Sequence, residues 1–167
     1  AGVTASDRVA AILPNMPEGI VSVLAAAALG AVWSSCSPDF GVEGVLDRFG
    51  QIEPKVLIAS DGYYYNGKSI DIADKLAAIA SRLPTVRMII VVPYLGRAKD
   101  VVQGLNASLV HTGRRAQTWT DAVSARPAEP LQFTRLAYAH PLYIMFSSGT
   151  TGMPKCIVHS AGGTLLK

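Results

Sequence analysis

The chain has 167 residues, half of them hydrophobic and 16% charged, which is enough apolar material for one packed core and excludes a disordered or low-complexity chain. The formal charge of +3 comes without a Lys/Arg block interleaved with aromatics, which excludes a nucleic-acid binder of the usual kind. Cys36 and Cys156 lie far apart without a CxxC partner, a pattern that fits neither a zinc site nor a disulfide framework but suits two reduced thiols in a cytoplasmic protein.

In chain order, Arg8 to Leu13 reads as a short strand ended by Pro14. The apolar run from Ile20 to Trp33 is shorter than the roughly 20 residues a membrane span needs, so no membrane partner is expected. Asn15 with Glu18 three residues on has the form of a capping box, and Gly30 is a stop signal, so the run reads as a buried helix. Ala31 to Ser34 forms a second short strand. Ser37-Pro38-Asp39 makes a turn with Asp39 as N-cap, and Val42, Val45, Leu46, Phe49 and Ile52 then recur on one helical face until Pro54. Val56 to Ala59 is a continuous β-branched run, the pattern of a strand buried on both faces of a parallel sheet. A tyrosine-rich loop, Tyr63 to Gly67, precedes a helix marked by Ile72, Leu76, Ile79 and Leu83, and Val86 to Val92 is the next buried strand.

From Tyr94 to about Arg135 the periodicity weakens, and a long surface excursion is expected with order only around Trp119 to Val123. Tyr143 to Phe146 reads as another buried strand, and Cys156 to His159 as a strand after it. Strands alternating with helices predict an α/β domain with a mainly parallel sheet and flanking helices. The chain starts close to a strand without an initiator Met and stops at Lys167 inside what reads as a new helix, so a slice of a longer polypeptide is expected.

Between the last two strands lies Ser147-Ser148-Gly149-Thr150-Thr151-Gly152-Met153-Pro154-Lys155. Its glycines let the backbone bend close to a ligand, successive N–H groups can form an anion-binding nest, and the hydroxyls add donors around it. Lys155 supplies a positive point charge at the far end, and Pro154 stiffens the approach to it. A polyphosphate complements this set. On composition alone the stretch also suits an ordinary solvated loop. It is not a Walker A loop, because no GxxxxGK[ST] string opens a helix here, which disfavours a P-loop NTPase.

The order of these residues closely resembles the signature loop of the adenylate-forming enzymes: acyl-CoA synthetases, luciferases and peptide-synthetase adenylation domains. Their Ser/Thr-Ser-Gly-Ser/Thr-Thr-Gly-x-Pro-Lys string is met at every fixed position, with one departure after it, since Cys156 stands where the family usually has Gly or Ala. Three further strings, Gly30 to Gly41, Val45 to Lys55 and Tyr65 to Lys68, resemble the branch of acyl-CoA synthetases that joins acetoacetate to CoA.

The resemblance implies that the whole chain is part of the large N-terminal domain of that fold. It implies an acid–CoA ligase using ATP with Mg²⁺, CoA and acetoacetate. The carboxylate attacks the α-phosphate to give an acyl-adenylate and pyrophosphate, and the CoA thiol then displaces AMP. Ser147, Ser148, Gly149, Thr150, Thr151, Gly152 and Lys155 are the implied phosphate ligands. Lys68 corresponds to a stretch whose basic residues touch the CoA phosphates in acetyl-CoA synthetases, although Tyr65 stands where one of those arginines would be. The adenine and ribose motifs, hinge and catalytic lysine of the family all lie beyond Lys167. No catalytic residue and no metal ligand is therefore assigned here, and the chain alone is expected to be inactive. A ligase for another short-chain acid and a non-catalytic phosphate-binding module are the alternatives.

Other chemistry-bearing residues have bland readings beside these. Cys36 has no nearby His and reads as a packed thiol. His159 either lines an acyl pocket or is a structural strand-end residue. His111 and His140 lack ligand spacing, and the Tyr63–Tyr65 cluster reads first as packing, with contact to the CoA adenine as the alternative.

Overall fold

The computed structural model describes residues 2–125, 127–147 and 152–166. The strands are β1 (Arg8–Ile12), β2 (Val32–Cys36), β3 (Val56–Ser60), β4 (Gly62–Tyr65), β5 (Lys68–Asp71), β6 (Met88–Val92), β7 (Arg115–Thr118), β8 (Pro141–Ser147) and β9 (Lys155–Ser160). The helices are α1 (Pro17–Ala28), α2 (Val42–Ile52), α3 (Ala73–Arg82), α4 (Ala98–Leu109), α5 (Trp119–Ser124) and α6 (Ala161–Leu165).

Seven strands form one sheet in the order β7-β6-β3-β1-β2-β8-β9, with β4 and β5 as a separate hairpin. All neighbours in the large sheet are parallel except β8 and β9. Side chains alternate across it with the two-residue period of a strand. Ala10, Ile12, Leu57, Ala59, Ile89 and Val91 enter a core with Val45, Phe49, Leu76, Ile79 and Leu105 of α2, α3 and α4. Val9, Ala11, Val56, Ile58, Met88 and Val92 face the other way, onto Ala26 of α1 and Trp119 of α5. Burial of both faces explains why the central strands read as unbroken apolar runs.

The expected fold class holds, and several local expectations are corrected. The Asn15–Glu18 capping box does not form: α1 starts at Pro17, its N-cap is Met16, and no side chain caps it. Proline at the first helical position sets φ and needs no hydrogen-bond partner, so it takes over the starting role. Asp39 is likewise not a cap, since Gly41 holds that place in α2. Gly30 does end α1, with φ of +71° just past the C-cap Leu29.

The tyrosine loop is the β4–β5 hairpin, turned by Asn66 and Gly67 at φ of +47° and +73°, the pair a tight two-residue turn demands. The expected excursion after Tyr94 contains a twelve-residue helix, α4, and an edge strand, β7. Ala98, Val101, Leu105 and Leu109 are its buried face, at helical spacing. The longest described part of it without helix or strand runs from residue 127 to 140. It is tied down by Thr134 N–H donating to Ala28 O (2.9 Å) and by His140 Nε2 at 2.9 Å from Gly30 O. β8 is half-buried rather than buried, and Met145 is exposed.

Among the described residues no helix is long and apolar enough to cross a membrane. Phe49 is fully buried where α2 meets the sheet. Phe49→Ala should lower the unfolding free energy by about 3–5 kcal/mol, read as a shift of the urea midpoint; an unchanged midpoint would refute this packing.

Candidate functional site at the carboxyl edge of the sheet

Because β3, β1, β2 and β8 are parallel, their C-terminal ends share one edge. The chain leaves β1 toward α1 on one face and reaches α3 from β3 on the other, so the order of connection reverses between these strands. Crevices at such switch points are the usual ligand sites of open α/β sheets. Here a cleft of about 440 Å³ is lined by Asn15, Ser35, Cys36, Ser37, Asp39 and the tyrosines 63–65. A second, of about 450 Å³, continues along the edge between β2 and β8, past Ser35, Cys36 and Ser37 to Phe40, Arg48, Tyr143 and Phe146.

The hairpin forms one wall. Asp61, fully buried just before it, accepts three backbone N–H bonds from Tyr94 (2.8 Å), Leu95 (2.6 Å) and Arg97 (2.6 Å). A charged acceptor with several donors makes strong bonds, and it ties the β6–α4 connection to the hairpin base. Gly62 follows because nothing larger fits: a Cβ would stand 2.5 Å from Ile70 O and 2.3 Å from Leu95 Cδ1. Lys75 of α3 reaches under the hairpin, donating to the carbonyls of Pro38 and Phe40, with its Nζ 5.6 Å from the Tyr63 ring centre. Burial there pushes its ammonium pKa down. Tyr64 and Tyr65 stay exposed, Tyr64 against Tyr94 with ring centres 5.8 Å apart. Lys68 is the first residue of β5, paired with Tyr65 and exposed.

At the other end of the edge, β8 runs into the signature string and β9 emerges from it. Ser147 and Lys155 are register partners in the antiparallel β8–β9 ladder, so the string is closed at its base. Gly152 has φ of +103°, a backbone state that side chains rarely adopt. Ser148, Gly149, Thr150 and Thr151 lie outside the described residues. Lys155 is exposed. β8 joins the parallel sheet through one ladder pair, Trp33↔Tyr143, supplemented by the buried Ser34 hydroxyl donating to Ile144 O (2.9 Å).

His159 stacks on Tyr143 across the ladder, ring centres 4.7 Å apart. His140 bonds the end of α1 rather than facing the cleft. Lys68 and Lys155 stand on different sheets: Lys68 is in the separate β4–β5 hairpin that follows β3, and Lys155 is in β9, at the far end of the large sheet from β3. Among the described residues no three His, Cys, Asp or Glu side chains converge as a metal site would require. Asp61, Lys75 and Ser34 were not singled out by sequence, and no spacing could have found them, because their partners are remote in the chain.

A mainly parallel sheet with helices on both faces, and the signature string leaving β8 at its carboxyl edge, defines an open α/β class of fold. The family model for AMP-binding enzymes matches residues 1–166, and the chain belongs to that family. It is a homologue of acetoacetyl-CoA synthetases. It is 56% identical over 168 residues to the acetoacetyl-coenzyme A synthetase of Rhizobium meliloti strain 1021, covering 99% of this chain and 24% of that protein. The Xenopus tropicalis acetoacetyl-CoA synthetase is 46% identical over 167 residues, again 99% and 24%. The solved acetoacetyl-CoA synthetase of Streptomyces lividans superposes with a TM-score of 0.84 at 44% identity, covering 99% of this chain and 23% of that one. The chain therefore spans about a quarter of the length of the relatives it matches.

Both cysteines are free, and they differ in setting. Burial pushes the Cys36 thiol up to about 12, whereas Cys156 is exposed and raised only by its slight burial. At pH 8 the Cys36 thiolate fraction is roughly one in ten thousand. Iodoacetamide should therefore alkylate Cys156 first and Cys36 only after unfolding, as read by peptide mass spectrometry; equal rates in the folded chain would refute the packed-thiol assignment.

Proposed function

We propose that the chain is the phosphate-gripping part of an acetoacetate–CoA ligase of the relatives' length, acting in a reducing cytoplasm. The observation that carries this reading is the complete signature string with its ends held together at Ser147↔Lys155 on the carboxyl edge of the parallel sheet. The substrate follows from the similarity to acetoacetyl-CoA synthetases along the whole chain.

In the first step a carboxylate oxygen of acetoacetate attacks the α-phosphorus of ATP. The bond to the bridging oxygen breaks, and pyrophosphate leaves. Two anions must meet, so charge on the β- and γ-phosphates has to be compensated and the leaving group stabilised. Lys155, the hydroxyls of Ser147, Ser148, Thr150 and Thr151, and the N–H groups around Gly149 and Gly152 are the groups for that work. Hydrogen bonds to charged groups contribute about 1.5–3 kcal/mol each, so several hold a triphosphate firmly. Mg²⁺ enters with ATP as its counter-ion. In the second step the CoA sulfur attacks the acyl carbon and AMP leaves. Lys68, on the exposed rim of the hairpin, meets a phosphate of CoA, and the clefts between hairpin and phosphate string run along the same edge as both co-substrates.

Because the chain spans about a quarter of the relatives' length, it is expected to give no acetoacetate-dependent ATP–pyrophosphate exchange by itself. The whole ligase should exchange with acetoacetate and not with acetate, propionate, butyrate or 3-hydroxybutyrate; exchange with one of these alone would replace the acid and keep the mechanism. Lys155→Ala should slow exchange by about 10- to 1000-fold, and an unchanged rate would remove the lysine from the phosphate site. Lys68→Ala should leave exchange intact, since that half-reaction needs no CoA, and raise the KM for CoA by about two- to fivefold in the complete reaction, the scale of one exposed, solvent-screened ion pair. An unchanged KM for CoA would show Lys68 to be merely solvated.

A further inference from the structure

We infer that Gln51 is a positioning residue for Lys155. This rests on the reading of Lys155 as a ligand of the ATP phosphates. Gln51 lies in the last turn of α2, far from the signature string in sequence. Its Nε2 donates to Pro154 O at 2.9 Å and to Asp47 O, one turn back, at 2.5 Å. Its Oε1 accepts from the Cys156 thiol at 3.4 Å. One side-chain amide thus engages the residue before Lys155 through its carbonyl and the residue after it through its side chain.

The contact lies where the ladder gives least support. β9 ends the strand order, and among the described residues it pairs with β8 alone. Lys155 is held to Ser147 from the β8 side, and Gln51 supplies a tether outside that ladder. The tether is anchored, because Phe49 and Ile52 beside it are buried in the main core. A functional side chain is placed well when its support stands on a rigid element. The chemistry also selects the residue type. A primary amide can donate to a carbonyl and accept from a thiol at once, whereas a glutamate offers no donor and a lysine no acceptor.

The test uses the whole ligase and two readouts: ATP–pyrophosphate exchange with acetoacetate, and the rate of Cys156 alkylation by iodoacetamide. Gln51→Ala should raise the KM for ATP roughly three- to tenfold, the scale of one or two neutral hydrogen bonds, with the KM for acetoacetate and the urea midpoint unchanged. It should speed Cys156 alkylation by a similar factor, and it should add nothing further in a Lys155→Ala background. Gln51→Glu keeps the acceptor and loses the donor, so it should raise the KM for ATP without speeding alkylation. An unchanged KM for ATP, a loss that adds fully to that of Lys155→Ala, or an unchanged alkylation rate in Gln51→Ala would each overturn the inference. Normal exchange in Lys155→Ala would overturn the phosphate reading and this inference with it, and the alkylation rate would still report whether the Gln51 contact exists.

Discussion

A parallel strand can be followed by another only after the chain has crossed back to its starting end. Everything useful in this structure depends on that constraint. Strands β6, β3, β1 and β2 are locked in parallel register, with four or five residue pairs at each interface. Each crossover is a helix packed on the sheet, so most of both faces is covered, apart from an apolar cleft of about 300 Å³ over Val9, Val56, Ile58 and Ile90 between α1 and α5. The polar clefts lie at the edge where the strands end. The tyrosine hairpin leaves β3 there, the Ser35–Ser37 segment leaves β2 there, and the signature string leaves β8 there.

The two ends of this edge are built differently. On the hairpin side, remote polar contacts fix the loops: Asp61 gathers three N–H groups, and Lys75 gathers two carbonyls. The buried Asp61 carboxyl is tolerable because three N–H groups satisfy it, whereas Lys75 is only half-buried. On the signature side, β8 and β9 form a tight pair joined to the parallel sheet by a narrow seam at Trp33, Tyr143 and Ser34. The segment ending at His140 sews this pair to the end of α1, through Gly30, Ala161 and Gly162. The base of the signature string, Ser147 and Lys155, is thus held by its own ladder and by a few side chains, while the core lies elsewhere.

Legibility in the sequence tracked the range of the interaction responsible. β1, β3 and β6 were visible because burial on both faces leaves an apolar run. α2 and α3 were visible because one buried face leaves a 3.6-residue period. α4 carried the same period at Ala98, Val101, Leu105 and Leu109, but polar residues and Gly104 between them masked it. The hairpin was announced by Asn66-Gly67, a stronger turn signal than the tyrosines before it. β7 had almost no signal: an edge strand with Ala116 and Thr118 as its buried positions takes its state from its neighbour β6. The capping box failed because Pro17 starts a helix without any side-chain cap.

By itself the sequence determined the α/β class, the strands and helices that bury the most, and the signature string, whose chemistry lies in the local order of donors, glycines and a lysine. Family membership follows from that same order. Only the tertiary structure decided which residues stand around it. The seam at Ser34, the collar of N–H groups on Asp61 and the reach of Gln51 to both neighbours of Lys155 join positions tens of residues apart, up to 110 for Ser34 and Ile144. Hydrogen bonds need partners within about 3 Å in space and are indifferent to separation along the chain, so no local pattern encodes them.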